Sequence, residues 1–204
     1  MYNFALSNKN NMETRTLLLE KNFEVICKSG FQATRTDKVA LDLGITKGAF
    51  YYYFKDKYAL GYAIVDEIIY PNYVGHWQKI LESNTNTIEA IINTITYIKS
   101  KSNAENIGLG CPLNNLIQEM SCIDEIFRQK LSKIIDKQLE LLQKIIQKGI
   151  QKKEIKPTTN TFNIACFIIA SLEGSYTLGK SKNSIDVFEA SVQSLLSFIS
   201  NLNV

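Results

Sequence analysis

GITKGAFYYYFKDK, residues Gly44 to Lys57, holds five consecutive aromatics, Phe50-Tyr51-Tyr52-Tyr53-Phe54, with Lys47 before them and Lys55 and Lys57 after. A buried strand does not suit three phenols, because each hydroxyl needs a partner or water. A helix distributes the rings over all its sides. Residues four apart share a face, so Phe50 and Phe54 turn inward together and the three tyrosines point mainly outward. The flanks agree. Thr46 can cap a helix from Lys47 to about Phe54, and Asp56 can cap the next one. Upstream, Thr36 is positioned to cap a short helix with Val39, Ala40 and Leu43 on its inner side. Gly44 supplies the turn between the two short helices.

Two short helices joined by a glycine turn make a helix-turn-helix. The second helix of that motif typically enters the DNA major groove with its N-terminal residues leading. Tyr51, Tyr52 and Tyr53 can lay their rings against sugars and thymine methyls and bond phosphates through their hydroxyls. Gly48 and Ala49 keep the helix start small. The free amides of Lys47 to Ala49 suit an anion, and Lys57 can reach a further phosphate. Charge points the same way. Residues 1–60 hold nine Lys/Arg against six Asp/Glu, and residues 61–204 hold fourteen of each, so the whole net charge of +3 lies in the N-terminal part.

The remaining chain reads as helices. Residues 1–12 are polar, Asn-rich and expected to fray. A first helix runs from Met12 to Ser29, with Leu19, Phe23 and Ile26 on one side. The helix capped by Asp56 runs to about Tyr70, where Pro71 is expected to break or kink it. Helices follow at Thr85–Lys101, Leu113–Met120, Ile123–Gln151, Thr158–Leu178 and Ser184–Leu202. No strand alternation is sustained. The fold class is therefore all-α with about nine helices, divided into a DNA-binding domain over 1–58 and a second domain over 59–204.

Other functional classes find little support. The 204 residues include one histidine and four cysteines, Cys27, Cys111, Cys122 and Cys166, with no CxxC. That argues against a metal site, and no nucleophile triad or cofactor loop is legible. No cofactor is expected. No apolar run reaches the ~18 residues of a membrane span, and the N-terminus lacks signal-peptide features, so a cytoplasmic protein is expected. A helical adaptor using the tyrosines for protein contacts is the competing reading. Salt dependence separates the two, since phosphate contacts weaken steeply with added salt.

Residues 13–62, above all GFQATRTDKVALDLGITKGAFYYYFKDKYAL, resemble the DNA-binding domain of the tetracycline-repressor family of bacterial transcription regulators. The resemblance implies a homodimer on double-stranded palindromic operator DNA, released by a small-molecule effector. By position it implies DNA contacts from Arg35, Thr36, Thr46, Lys47, Gly48, Ala49, Tyr51, Tyr52, Tyr53 and Lys57. ASLEGSYTLGK (170–180) resembles the eighth helix of the family, which builds the dimer interface with the ninth. Ser171, Gly174 and Ser175 are small enough for close helix approach. Phe188, Val192, Leu195 and Ile199 form an apolar stripe that suits a four-helix bundle between two copies.

The effector pocket is expected among the fourth to eighth helices. His76, Trp77, Tyr97, Asn114, Gln118, Phe127 and Phe167 are its candidates, and Asn114 and Gln118 share a helical face. GCPLNNLIQEMS (110–121) resembles the start of the sixth helix in a subgroup related to acrylate- and electrophile-responsive repressors. Cys111 precedes Pro112, which favours a first helical turn. A cysteine near a helix N-terminus favours the thiolate, and Gly108 and Gly110 leave it sterically open. Cys111 is therefore a candidate electrophile sensor. Cys27 and Cys166 are expected to be inert beside it.

Overall fold

Helical periodicity is realised throughout the described residues. The computed structural model describes residues 2–203, with side chains from Glu13 onward. The elements are α1 (Tyr2–Ser29), α2 (Thr36–Asp42), α3 (Lys47–Tyr53), α4 (Lys57–Ile64), a π-helical turn (Val65–Ile69), α5 (Tyr70–Glu82), α6 (Thr87–Ser100), a 3-10 turn (Ile107–Leu109), α7 (Pro112–Met120), α8 (Glu125–Gln151), α9 (Thr161–Lys182) and α10 (Ile185–Ser200). Counted as one unbroken rod, α4 to α5 makes nine rods among the described residues. No strand occurs among them, and β-type pairing is limited to an isolated bridge between Ile155 and Asn203.

Local chemistry explains most boundaries. Thr46 Oγ1 accepts the Ala49 amide at 3.2 Å and Asp56 Oδ1 accepts the Ala59 amide at 2.8 Å. Asn86, Asn160 and Ser184 cap α6, α9 and α10 in the same way. Gly44, at φ +71°, ends α2. Its amide bonds Leu41 O and the next amide, Ile45, bonds Ala40 O, so two terminal carbonyls of α2 are satisfied.

Several boundaries differ from the sequence reading, three of them for clear physical reasons. α1 starts at Tyr2 rather than Met12, and Met1 lies outside the described residues. Thr36 does not cap α2. Arg35 occupies that position without a side-chain bond, and Thr36 is the first helical residue, buried. Pro71 does not end its helix. The π turn just ahead of it lets the backbone widen, with the Tyr70 amide reaching back to Val65 O, and the missing Pro71 N–H and its ring are absorbed there.

Two compact units result: Met1–Tyr70 with Asn115–Leu131, and Pro71–Asn114 with Ser132–Val204. The first contains the expected DNA-binding segment and extends beyond it. Its core joins Leu18, Leu19, Ile26, Phe31, Phe50, Phe54, Leu60 and Ile64 to Leu116, Met120 and Phe127. Phe31 and Phe127 pack edge to face with centroids 4.8 Å apart. Gly61 makes room for them: a Cβ there would lie 2.5 Å from Phe31 and 2.6 Å from Phe127. In the second unit, α10 packs on α9 and α6. Gly179 lets Ile107 and Phe188 approach, since a Cβ would meet both within 3 Å.

Replacing Gly61 by Ala should destabilise the first unit by about 1–3 kcal/mol through overpacking. Urea unfolding monitored by circular dichroism measures it. An unchanged midpoint would show that the two rings part freely.

Candidate nucleic-acid interface and ligand-domain cluster

The helix-turn-helix presents its tyrosines as the four-residue spacing requires. Phe50 and Phe54 are 2% and 3% exposed, whereas Tyr51 and Tyr52 are 50% and 75% exposed. Burying each Phe stabilises by roughly 1.5–3 kcal/mol, enough to hold a seven-residue helix that would not form alone. Tyr53 is half-buried and packs edge to face on Tyr52 at 5.0 Å. Lys47 lies 5.8 Å from the Tyr51 ring centroid. Thr46, Lys47 and Gly48 are exposed, Ala49 is half-buried, and a Cβ on Gly48 would meet nothing within 4 Å. The leading end of α3 is therefore open to close approach, with two outward phenols one turn behind it.

Not every expected DNA contact points outward. Arg35 is exposed, with Asp37 3.6 Å away. Thr36 is buried, so its side chain is unavailable to a groove. Lys57 turns inward: its Nζ donates to Gln32 O at 2.8 Å and sits 4.8 Å over the Phe31 ring. Burial lowers its pKa against the opposing charge of Glu119. Glu119 holds the other side of the same loop, accepting the Phe31 and Gln32 amides at 2.8 Å each. Lys57 is thus a clamp on the loop before α2 rather than a free phosphate ligand.

In the second unit the expected dimer stripe is already used. Phe188, Val192, Leu195 and Ile199 are buried within the single chain, as is Ser175, whose hydroxyl bonds Ser171 O at 2.7 Å. These residues cannot face a partner. The outward apolar face of α9 comprises Phe167, Ala170, Gly174 and Leu178, three or four residues apart, with Ser171 at its edge. Phe198 of α10 joins it, 4.5 Å from the Phe167 ring. Phe167 therefore lies on the surface, not in a pocket.

The remaining pocket candidates do not form one lining. Trp77 is buried and donates its indole N–H to Gln138 Oε1 at 3.1 Å. His76 and Tyr97 pair their rings at 5.6 Å, and burial with Lys79 lowers the His76 pKa. Asn114 donates to Thr177 Oγ1 at 3.2 Å. Gln118 is exposed, and Phe127 is a core residue of the first unit.

Cys111 is enclosed rather than open. It is 3% exposed, with the Tyr73 hydroxyl 3.0 Å from Sγ and the Asn114 amide donating to Sγ at 3.4 Å. Its pKa is pushed well up, chiefly by burial and then by the Glu173 carboxylate as charge and hydrogen-bond partner. The helix-terminus effect does not overcome this. Burial also raises the Glu173 pKa, opposed by the Cys111 hydrogen bond, and raises that of Tyr176, whose hydroxyl pairs with Ser102 at 3.0 Å. Tyr73, Cys111, Glu173 and Tyr176 thus form a polar cluster from three parts of the chain. Composition held a signal for it: Glu173 is the sole charged residue between Thr161 and Gly179. Among the described residues, no group of three or more His, Cys, Asp or Glu could hold a metal ion.

A helix-turn-helix with an outward phenol ridge, followed by an all-helical second unit, defines a DNA-binding regulator. Residues 18–64 match the family described as bacterial regulatory proteins, tetR family, and residues 87–195 match the tetracyclin repressor-like C-terminal domain. The chain belongs to the tetracycline-repressor family of transcriptional regulators. It is 28% identical over 187 residues to an uncharacterized HTH-type transcriptional regulator in the lacX 3' region of Lactococcus lactis subsp. lactis, covering 87% of this chain and 88% of that protein. It is 24% identical over 173 residues to the HTH-type transcriptional repressor DhaR of Mycobacterium sp. (strain GP1), covering 79% of each. Its fold matches a TetR transcriptional regulator from Chloroflexus aurantiacus J-10-FL at TM-score 0.82 and 24% identity, over 96% of this chain and 98% of that one. The reduced form of E. coli NemR matches at TM-score 0.81 and 22% identity, over 94% and 97%.

Iodoacetamide on the folded protein at pH 7 should modify the exposed Cys122 first and Cys111 last. Cys27 should also be slow, since burial and Glu24 push its pKa up to about 11. Raising the pH toward 8 should accelerate Cys111 little, because a raised pKa delays its thiolate. Peptide mapping reads the order. Early labelling of Cys111 would show that its enclosure opens readily.

Proposed function

We propose that this regulator is a repressor that binds a palindromic operator as a homodimer and is released by a small-molecule effector taken up in the second unit. The observation that carries the reading is the open start of α3 backed by exposed Tyr51 and Tyr52 on a helix anchored through Phe50 and Phe54. Such a helix can enter a major groove while its rigid base sets the angle of entry. Thr46, Lys47, Gly48, Ala49, Tyr51 and Tyr52 are the contacts best placed for it, with Arg35 flanking. Two copies would offer half-sites about one helical turn apart. Its site of action would be cytoplasmic DNA.

The partner face is the outward stripe of α9 and α10. Phe167, Leu178 and Phe198 are large, apolar and exposed, and Gly174 permits a close crossing. Contiguous exposed apolar surface of this kind marks an interaction site. The effector would shift the balance between DNA-bound and released spacings of the two recognition helices. A differential affinity of a few kcal/mol is sufficient. Electrophile sensing by Cys111 is a narrower form of the reading. An adduct there would have to break the Tyr73 and Glu173 contacts, so reaction would be slow and structurally consequential.

Selection from random duplex DNA, followed by a screen for small molecules that release it, tests the whole reading. Replacing Tyr52 by Ala should cost about 1–3 kcal/mol of operator binding. Unchanged binding in the Tyr51/Tyr52/Tyr53 triple Ala variant would sink the recognition-helix assignment. Replacing Lys47 by Ala should weaken all sequences alike and lower the salt slope by about one. Replacing Phe167 by Glu should shift the protein toward monomer in light scattering. A dimer unaffected by that change would place the interface elsewhere.

A further inference from the structure

Two buried polar atoms of the second unit have no hydrogen-bond partner: Glu173 Oε2 and Gln138 Nε2. The orientation of the Gln138 amide is chemically fixed. The Trp77 indole N–H can only donate, so Gln138 must turn its carbonyl toward it, which leaves the amide nitrogen unsatisfied. Gln138 is itself 95% buried, at 5% exposed. Both atoms are tied to one face of α5. Tyr73 touches Cys111 in the Glu173 cluster and Trp77 touches Gln138, and these two α5 residues are four apart. Four residues along a helix place side chains on one face, with Cβ atoms about 6 Å apart. A native interior tolerates few such orphans, and each costs as much as a lost hydrogen bond.

The two orphans ask for complementary groups. Gln138 Nε2 offers a donor. Glu173 Oε2 offers a carboxylate oxygen, buried beside the Cys111 thiol. The aromatic rings of Tyr73 and Tyr176 are suited to hold a cation on their faces. Glu173 and Tyr176 are only partly covered, and the Asn114–Thr177 hydrogen bond closes the same edge of α9, so the cluster reaches the surface there.

We infer that Glu173 and Gln138 are the polar anchors of the effector site, and that the effector is a small aromatic amine. Its ammonium pairs with Glu173 Oε2, and an acceptor about one helical turn away takes the Gln138 amide. This rests on the effector-controlled regulator reading above and specifies the chemistry of its ligand. Residues picked from sequence as pocket candidates enter it only through Trp77 and Asn114, as supports. Tyr73, Cys111 and Tyr176 position the carboxylate.

Calorimetry and thermal shift on the full-length protein test it with three matched probes: 4-methoxyphenethylamine, phenethylamine and 3-(4-methoxyphenyl)propanoate. The methoxy amine should bind and raise the melting temperature, the plain amine should bind more weakly, and the acid should not bind. Glu173→Gln, which keeps the size and the Cys111 contact, should weaken the methoxy amine at least about tenfold while operator binding persists. Gln138→Leu should remove the advantage of the methoxy group over the plain amine. If the acid binds as well as the amines, or Glu173→Gln binds the amine undiminished, the inference is overturned. The probe comparison uses the unaltered protein, so it stands even where a variant fails to fold. Operator release by an uncharged molecule that ignores Glu173 would overturn this inference alone. Absence of any selected operator would overturn the regulator reading itself.

Discussion

Burial of Phe50 and Phe54 on one side of a two-turn helix is the constraint from which the exposed tyrosine surface follows. The helix is too short to hold itself, so its stability comes from these two rings. Once both are inside, the rotation of α3 is set. Tyr51 and Tyr52 then have nowhere to go but solvent. The phenols that would be a liability in a core become an exposed, rigid ridge. Such a ridge loses little side-chain entropy on binding, since each tyrosine has only two soft torsions.

The chain leading into α2 is held by polar contacts around one backbone loop. Gly30 adopts φ +83°, and a Cβ there would press on the Glu119 carboxylate at 3.0 Å. Glu119 takes the next two amides while Lys57 takes the Gln32 carbonyl from above Phe31. The loop ahead of α2 would otherwise carry unsatisfied groups beside an aromatic cluster. Two side chains of opposite charge, far apart in sequence, satisfy it and leave Arg35 and α2 in a defined position.

The second unit spends stability differently. Its apolar stripe on α10 is consumed by α6 and α9 within one chain, so the apolar surface left exposed is the other side of α9. Against that apolar background the Tyr73–Cys111–Glu173 cluster is costly. A carboxylate oxygen and an amide nitrogen are buried there without a hydrogen-bond partner. Evolution commonly keeps such strain where a ligand relieves it. The same cluster suppresses the thiolate that a cysteine beside a helix start would otherwise favour, because burial and a neighbouring carboxylate outweigh a terminal dipole worth at most ~2 kcal/mol.

The all-α class, the helix-turn-helix and the outward tyrosines were all legible in the residues. Each is a local property: a cap, a glycine turn, or a four-residue spacing whose consequence is confined to one helix. The same local rules failed where a neighbour from elsewhere in the chain intervened. Lys57 reads as a phosphate ligand until Gln32 and Phe31 claim it. Phe188, Val192, Leu195 and Ile199 read as an interface until α6 and α9 cover them. Cys111 reads as an open thiol until Tyr73 and Glu173 enclose it. Periodicity tells which side of a helix is apolar but not what lies against it. That is decided by pairings between residues tens of positions apart, which exist only once the chain has packed.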